Sequence, residues 1–180
     1  MPKKKHNMVG GGALTTEHGL LYETYTDLEE ALRKAGFDIK EEAACKEVYD
    51  KLVKVGLITK KQKFYKCFSH LDHDGWKNYV SKQLLPDDVF INLKNKTIYI
   101  IEKKYQAGNG SVDEKLQTVD FKIKEYEKML PGWKIEFFYI LNDFFNKDAY
   151  KDVFDYIKAS GGKYYFNELP LSDLDIDMED

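Results

Sequence analysis

Apolar positions follow two rhythms along the chain, and the change from one to the other marks out its elements. Leu21, Tyr25, Leu28 and Leu32 are spaced by four, three and four residues, which is one face of a helix. Thr15 and Thr16 precede this face as N-cap candidates, and Gly36 is placed to end it. A second helix is expected over 41–55, with Ala44, Val48, Leu52 and Val55 inward and Gly56 as its stop. Residues 57–68 read as extended, and a short helix is expected over 76–82. The rhythm then shortens to that of strands. Runs over 89–93 and 97–105 are β-rich and joined by Lys94-Asn95-Lys96, a hairpin signal. Gly108, Asn109 and Gly110 break the second run. Ser111 and Glu114 then have the spacing of a capping box for a helix with the stripe Leu116, Val119, Ile123, Tyr126 and Leu130. Pro131-Gly132 stops that helix. A buried strand over 133–141, a helix over 149–159 and a last strand over 164–169, after Gly161-Gly162, complete the pattern. This order predicts an α/β (α+β) fold with a mixed central sheet and helices on both faces.

The 180 residues suit one domain, expected over 1–171, with 41–83 as an accessory segment. Apolar residues make up 43 % and aromatics 14 % of the chain, too many for a disordered sequence. The net charge of −3 supplies no global field to draw in a polyanion. A nucleic-acid partner must therefore be met by a local basic surface or through metal ions. Part of the acidity gathers in Asp173, Asp175, Asp177, Glu179 and Asp180, and 172–180 is expected to be a solvated, frayed tail. Two cysteines are too few for a disulfide scaffold. Lys3, Lys4 and Lys5 are followed by Gly10, Gly11 and Gly12, where a signal peptide would need an apolar stretch. No apolar run approaches the roughly 20 residues of a membrane helix. A cytoplasmic location and no membrane partner are the expectation.

The hairpin brings chemistry together. Residues two apart on a strand share a face, so Glu102 and Lys104 project beside Ile98 and Ile100. A two-residue turn at Lys94-Asn95 sets Asp87 opposite Glu102, whereas a three-residue turn sets Asp88 there. Apolar Val89, Ile91 and Leu93 share the Asp87 face, which favours Asp87; Asp88, beside Phe90, Asn92 and Lys94, is the alternative. Two carboxylates and a lysine at one sheet edge suit a hard cation such as Mg²⁺ and hydrolysis of a phosphodiester.

Pro86-Asp87, fourteen intervening residues and Glu102-Lys103-Lys104 resemble the motif of the PD-(D/E)XK nucleases. Similarity runs over about 10–171 and is strongest over 84–130, where 110–117 resembles a segment of small bacterial type II restriction endonucleases. The resemblance implies a restriction-endonuclease-like core of a helix, three antiparallel strands, a helix and a further strand. It implies Mg²⁺ held by Asp87 and Glu102, Lys104 positioning the nucleophile, and Glu23 as an auxiliary ligand in Gly19-Leu20-Leu21-Tyr22-Glu23, with Glu17 a weaker candidate. Gln117 would support the site. The implied activity is Mg²⁺-dependent cleavage of double-stranded DNA at a short sequence, leaving 5′-phosphates. A homodimer, or successive nicks by a monomer, would cut both strands, with a DNA methyltransferase as companion in the host. Another nuclease of the same type (repair, junction-resolving or nicking) and a non-catalytic DNA-binding module are the alternatives.

Three further features have bland counterparts. Lys60, Lys61, Lys63 and Lys66 alternate with aromatics as a DNA-gripping strand would, or as a solvated strand does. Gly10, Gly11 and Gly12 with Thr15 and Thr16 could meet a DNA backbone or form an arm. Cys67, His70 and His73, with Cys45, have zinc-like spacing but lack the paired ligands across a loop that structural zinc sites show. A ββα-metal nuclease reading of His70, His73 and Asn78 fails on pattern.

Overall fold

The computed structural model of the chain describes residues 11–71, 73, 75–108 and 111–176, with side chains from residue 17 onward except that of Asp113. Its helices are α1 (Gly11–Tyr25), α2 (Leu28–Lys34), α3 (Val112–Leu116), α4 (Val119–Met129) and α5 (Lys151–Ala159). Its strands are β1 (Asp38–Lys40), β2 (Lys46–Asp50), β3 (Val53–Thr59), β4 (Asp88–Asn92), β5 (Thr97–Lys104), β6 (Lys134–Leu141) and β7 (Gly162–Phe166). They form one sheet in chain order. β1 to β5 run antiparallel, while β5, β6 and β7 are parallel and joined through helices, as parallel neighbours require. The mixed sheet flanked by helices is the expected α/β architecture. No helix among the described residues is long and apolar enough to cross a membrane.

Two cores sandwich the sheet. On one face Val89, Ile91, Ile98, Ile100, Phe137 and Tyr139 pack under α4 and α5 with Ile123, Tyr126 and Ile157. On the other, Val48, Ile58, Phe90, Tyr99, Ile101 and Phe138 pack under Leu28 and Leu32 of α2 and under Leu174 and Ile176. Each fully buried Ile or Phe stabilises the fold by roughly 1.5–3 kcal/mol relative to exposure. The face shared by Asp88, Phe90 and Asn92 is thus a second core.

The helix expected over 41–55 is instead the β2–β3 hairpin, and Gly56 lies within β3 rather than ending a helix. A Cβ at Gly56 would fall 2.6 Å from the Phe90 ring and 2.6 Å from the Ile91 carbonyl oxygen, so the glycine lets β3 close onto β4. The stretch read as extended over 57–68 leaves the sheet after Thr59 and becomes a 3₁₀ helix, Lys61–His70. The short helix near Trp76 is a single 3₁₀ turn, Trp76–Asn78.

The first helix is two. Asp27 caps α2 by accepting the Glu30 N–H at 3.2 Å, which breaks the expected apolar face. Leu28 and Leu32 are buried while Leu21 and Tyr25 are exposed. Thr15 and Thr16 lie within α1, which begins at Gly11, and Gly10 lies outside the described residues. The helix expected from Ser111 is also divided, at Gln117-Thr118, and the Ser111 side chain caps nothing. Its stripe from Leu116 to Leu130 is nonetheless buried. Asn109 and Gly110 lie outside the described residues.

The acidic tail is not frayed over 172–176. A 3₁₀ turn, Leu171–Leu174, buries Leu174, and Ile176 is buried after it. The Tyr165 hydroxyl donates to Asp173, and the Tyr99 hydroxyl donates to Asp175 at 2.7 Å. Asp177, Glu179 and Asp180 lie outside the described residues.

Candidate active site

The β4–β5 hairpin pairs Asn92 with Thr97 and Asp88 with Ile101, which sets Asp87 across from Glu102. The turn spans 93–96 rather than two residues, yet the register is the one a two-residue turn implied. Local hydrogen bonds pin it. Asn92 Oδ1 accepts the N–H groups of Lys94 at 3.0 Å and Asn95 at 3.3 Å, and Asn95 Oδ1 accepts that of Thr97 at 3.0 Å.

At the other end of the hairpin, outside the carboxyl ends of β5 and β6, the sheet opens on a cleft. Such crevices are where open α/β sheets bind ligands. Asp87 and Lys104 line it, and Glu102 is buried beside Lys104. Asp87 Oδ2 accepts the Lys103 N–H at 2.7 Å, and its Oδ1 takes the Lys61 ammonium. Lys104 Nζ bridges the acids, 2.6 Å from Glu102 Oε2 and 3.8 Å from Asp87 Oδ2. Lys122, reaching from α4, lies 2.9 Å from the same Glu102 oxygen. Glu23 on α1 enters the same cleft, with its Oε2 3.8 Å from Lys61 Nζ.

Charge balance tunes these groups. Burial pushes the Asp87 carboxyl up, but the Lys104 charge, the Lys61 hydrogen bond and the Lys103 N–H outweigh it and hold it below the ordinary aspartate value. Burial also lowers Lys122; Glu102 opposes this, Lys104 adds to it, and the net is downward. Lys61 goes the other way, because its pairing with Asp87 overcomes desolvation.

Asp88 and Lys103 form a second pair on the opposite face of the same strands, 2.5 Å apart and almost wholly buried. Asp88 Oδ2 accepts the Leu28 N–H at 3.2 Å, and Lys103 Nζ donates to the Glu23 carbonyl at 3.1 Å. This pair fastens the α1–α2 joint to the central strands. Burial raises the Asp88 carboxyl despite its lysine.

The structure thus gathers Asp87, Glu102, Lys104 and, at the rim, Glu23. It does not gather Gln117, which is exposed at the α3–α4 turn, or Glu17, which is exposed on α1. From the helix after β5 the residue that reaches the acids is Lys122, one position before the buried Ile123. No motif marks it. Lys61 begins a 3₁₀ helix rather than lying on an extended strand and reaches Asp87, and Lys60 pairs with Asp27 at 3.1 Å. Lys63 and Lys66 are exposed on the 3₁₀ helix.

Among the described residues no group of three or more His, Cys, Asp or Glu side chains converges closely enough to hold a metal ion. Asp87, Glu102 and Glu23 are therefore not a preformed cage. Two carboxylate oxygen donors nonetheless fit Mg²⁺, which keeps several waters and takes one or two carboxylates. Ammonium groups already stand between these acids as their counter-charge. The zinc-like residues are otherwise engaged: Cys67 donates to the Ala44 carbonyl at 3.3 Å, and both cysteines are buried. His73 Nδ1 accepts the Gly75 N–H at 3.0 Å, and its Nε2 donates to the Met129 carbonyl at 2.6 Å. His70 is exposed.

The sequence matches no protein-family profile, and no curated protein is significantly similar to it.

Proposed function

We propose that the protein is a Mg²⁺-dependent nuclease that hydrolyses phosphodiester bonds of double-stranded DNA, of the PD-(D/E)XK type and resembling type II restriction endonucleases. The observation that carries this reading is Asp87 set across from Glu102 with the Lys104 ammonium bridging them, Asp87 and Lys104 lining a cleft. With β1, β2 and α3 left aside, α2, β3–β4–β5, α4 and β6 also follow the element order that the resemblance implies, although β3 comes from the 41–83 segment expected to be accessory.

Asp87 and Glu102 would hold the metal, with Glu23 assisting from α1. When bound, Mg²⁺ polarises the scissile phosphate and lowers the pKa of a water ligand. The chain's own groups do the rest. Lys104 orients the attacking water and meets negative charge as it develops on the phosphate. Lys122 holds the Glu102 carboxylate beside Lys104. The ammonium groups of Lys61, Lys104 and Lys122 offset the charges of Asp87 and Glu102, so that in a chain of net charge −3 the site does not meet a polyanion with bare carboxylates. Cleavage of both strands would come from a homodimer or from two successive nicks.

Digestion of a sequenced, unmethylated plasmid with Mg²⁺, followed by end mapping, tests the proposal. Discrete fragments with 5′-phosphate ends are expected. Cleavage confined to branched or mismatched DNA would redirect it to a junction or repair nuclease. Binding without any Mg²⁺- or Mn²⁺-dependent cleavage would leave a binding module.

A further inference from the structure

Lys61 combines a strained backbone with a place on a second cleft, which adjoins the first at Glu23, Asp87 and Lys103. Its φ is +50°, a left-handed conformation that non-glycine residues adopt at a cost and that tends to persist where function requires it. Its N–H donates at 2.8 Å to the carbonyl of Pro86, the residue just before Asp87. The strained turn therefore delivers the ammonium onto Asp87 Oδ1, with Glu23 Oε2 3.8 Å away. Lys61 thus stands beside two of the three acids assigned to the metal.

It also differs from the other lysines of the site. Lys104 and Lys122 are 14 % and 18 % exposed and lie nearest Glu102, whereas Lys61 is 40 % exposed and opens onto the second cleft, of about 580 Å³, shared with Lys60 and Lys63. A half-exposed ammonium is the one most easily displaced, because water replaces its partner. The same exposure leaves it free to meet a ligand in the cleft.

We propose that Lys61 is a built-in counter-ion of the metal site: its ammonium neutralises Asp87 until a divalent cation takes that carboxylate, and once released it grips a phosphate of the bound DNA. This rests on the nuclease reading above. A lysine that merely braces the fold would not compete with metal.

Mn²⁺ titration of the full chain by calorimetry, without DNA, separates these roles. Lys61→Ala is expected to bind Mn²⁺ about two- to fivefold more tightly than wild type, since an ion pair with a half-exposed lysine is worth about that much. Lys61→Arg, which keeps the counter-charge, should match wild type. Lys61→Gly removes the ammonium and relieves the left-handed strain, so it should fold at least as stably and share the tighter binding. Duplex binding in Ca²⁺ at rising salt is the second arm: Lys61→Ala should lose affinity, with a salt slope smaller by about one phosphate contact. Alanine and glycine variants that bind Mn²⁺ no more tightly than wild type overturn the counter-ion role and leave the nuclease reading standing. An unchanged salt slope overturns the phosphate grip. Wild type that binds Mn²⁺ no better than Asp87→Asn overturns the metal site and this inference with it.

Discussion

Two acid–lysine pairs sit one residue apart on the same strands and meet opposite fates. Asp88 and Lys103 face α2, lie almost wholly buried 2.5 Å apart, and spend their hydrogen bonds on the Leu28 N–H and the Glu23 carbonyl. Asp87, Glu102 and Lys104 face α4 and share ammonium groups from three different elements, and Asp87 and Lys104 open on a cleft. The chemical groups are the same. A closed pair has a single set of partners and acts as a fastener. An open cluster holds displaceable partners, and exchange of partners is what binding and catalysis require.

The contrast breaks or sharpens under substitution. The largest effect belongs to the closed pair: Asp88→Leu or Lys103→Met alone should destabilise the protein by about 3–5 kcal/mol in urea unfolding, because each leaves a buried charge alone. The double variant should recover most of that loss. If either single variant were nearly neutral, the fastener reading would be wrong. Next come Asp87→Asn and Glu102→Gln, which should slow DNA cleavage by about 100-fold or more while the protein stays folded. The distinction between the faces fails if Asp88→Asn, assayed where it is folded, loses as much activity as they do.

Lys122→Met should cost roughly tenfold in single-turnover cleavage, about 1.4 kcal/mol, since Glu102 keeps Lys104 but loses its other ammonium. Lys122→Arg should restore part of it. The two aspartates should also differ in the sign of their pH dependence. Asp87 is held below the ordinary value of 3.8, so its contribution is present above that pH and is lost as pH falls through the lower folded value. Asp88 is raised, so its contribution is present at low pH and is lost as pH rises through the raised folded value. Unfolding of Asp87→Asn and Asp88→Asn against wild type across acid pH should give stability differences of opposite slope. The smallest effect is at exposed Gln117, where alanine should change cleavage by less than about twofold.

The hairpin was legible because its information is local. Asn92 and Asn95 fix the turn through their own side chains, and period-two alternation then assigns Asp87, Glu102 and Lys104 to one face. The stripe from Leu116 to Leu130 was legible for the same reason, although one helix became two. Elements over 41–68 were misread because the pattern there is ambiguous. Ala44, Val48, Leu52 and Val55 fit a helix, while Val48, Val53 and Val55 also suit strands. Only the approach of β3 to Phe90 explains Gly56 as a strand glycine. The acidic run at 173–176 hid Leu174 and Ile176, whose burial depends on the second core.

By itself, then, the sequence determined an α/β chain and a register that sets one aspartate across from one glutamate, since both follow from residues near one another along the chain. Only the tertiary structure decided that Lys61 and Lys122 complete the cluster and that Asp88 and Lys103 are sealed away. Those partners come from segments 26 and 20 positions distant for the first two, and from packing against α2 for the last. Which charges meet, and whether water reaches them, depends on how the helices close over the two faces of the sheet.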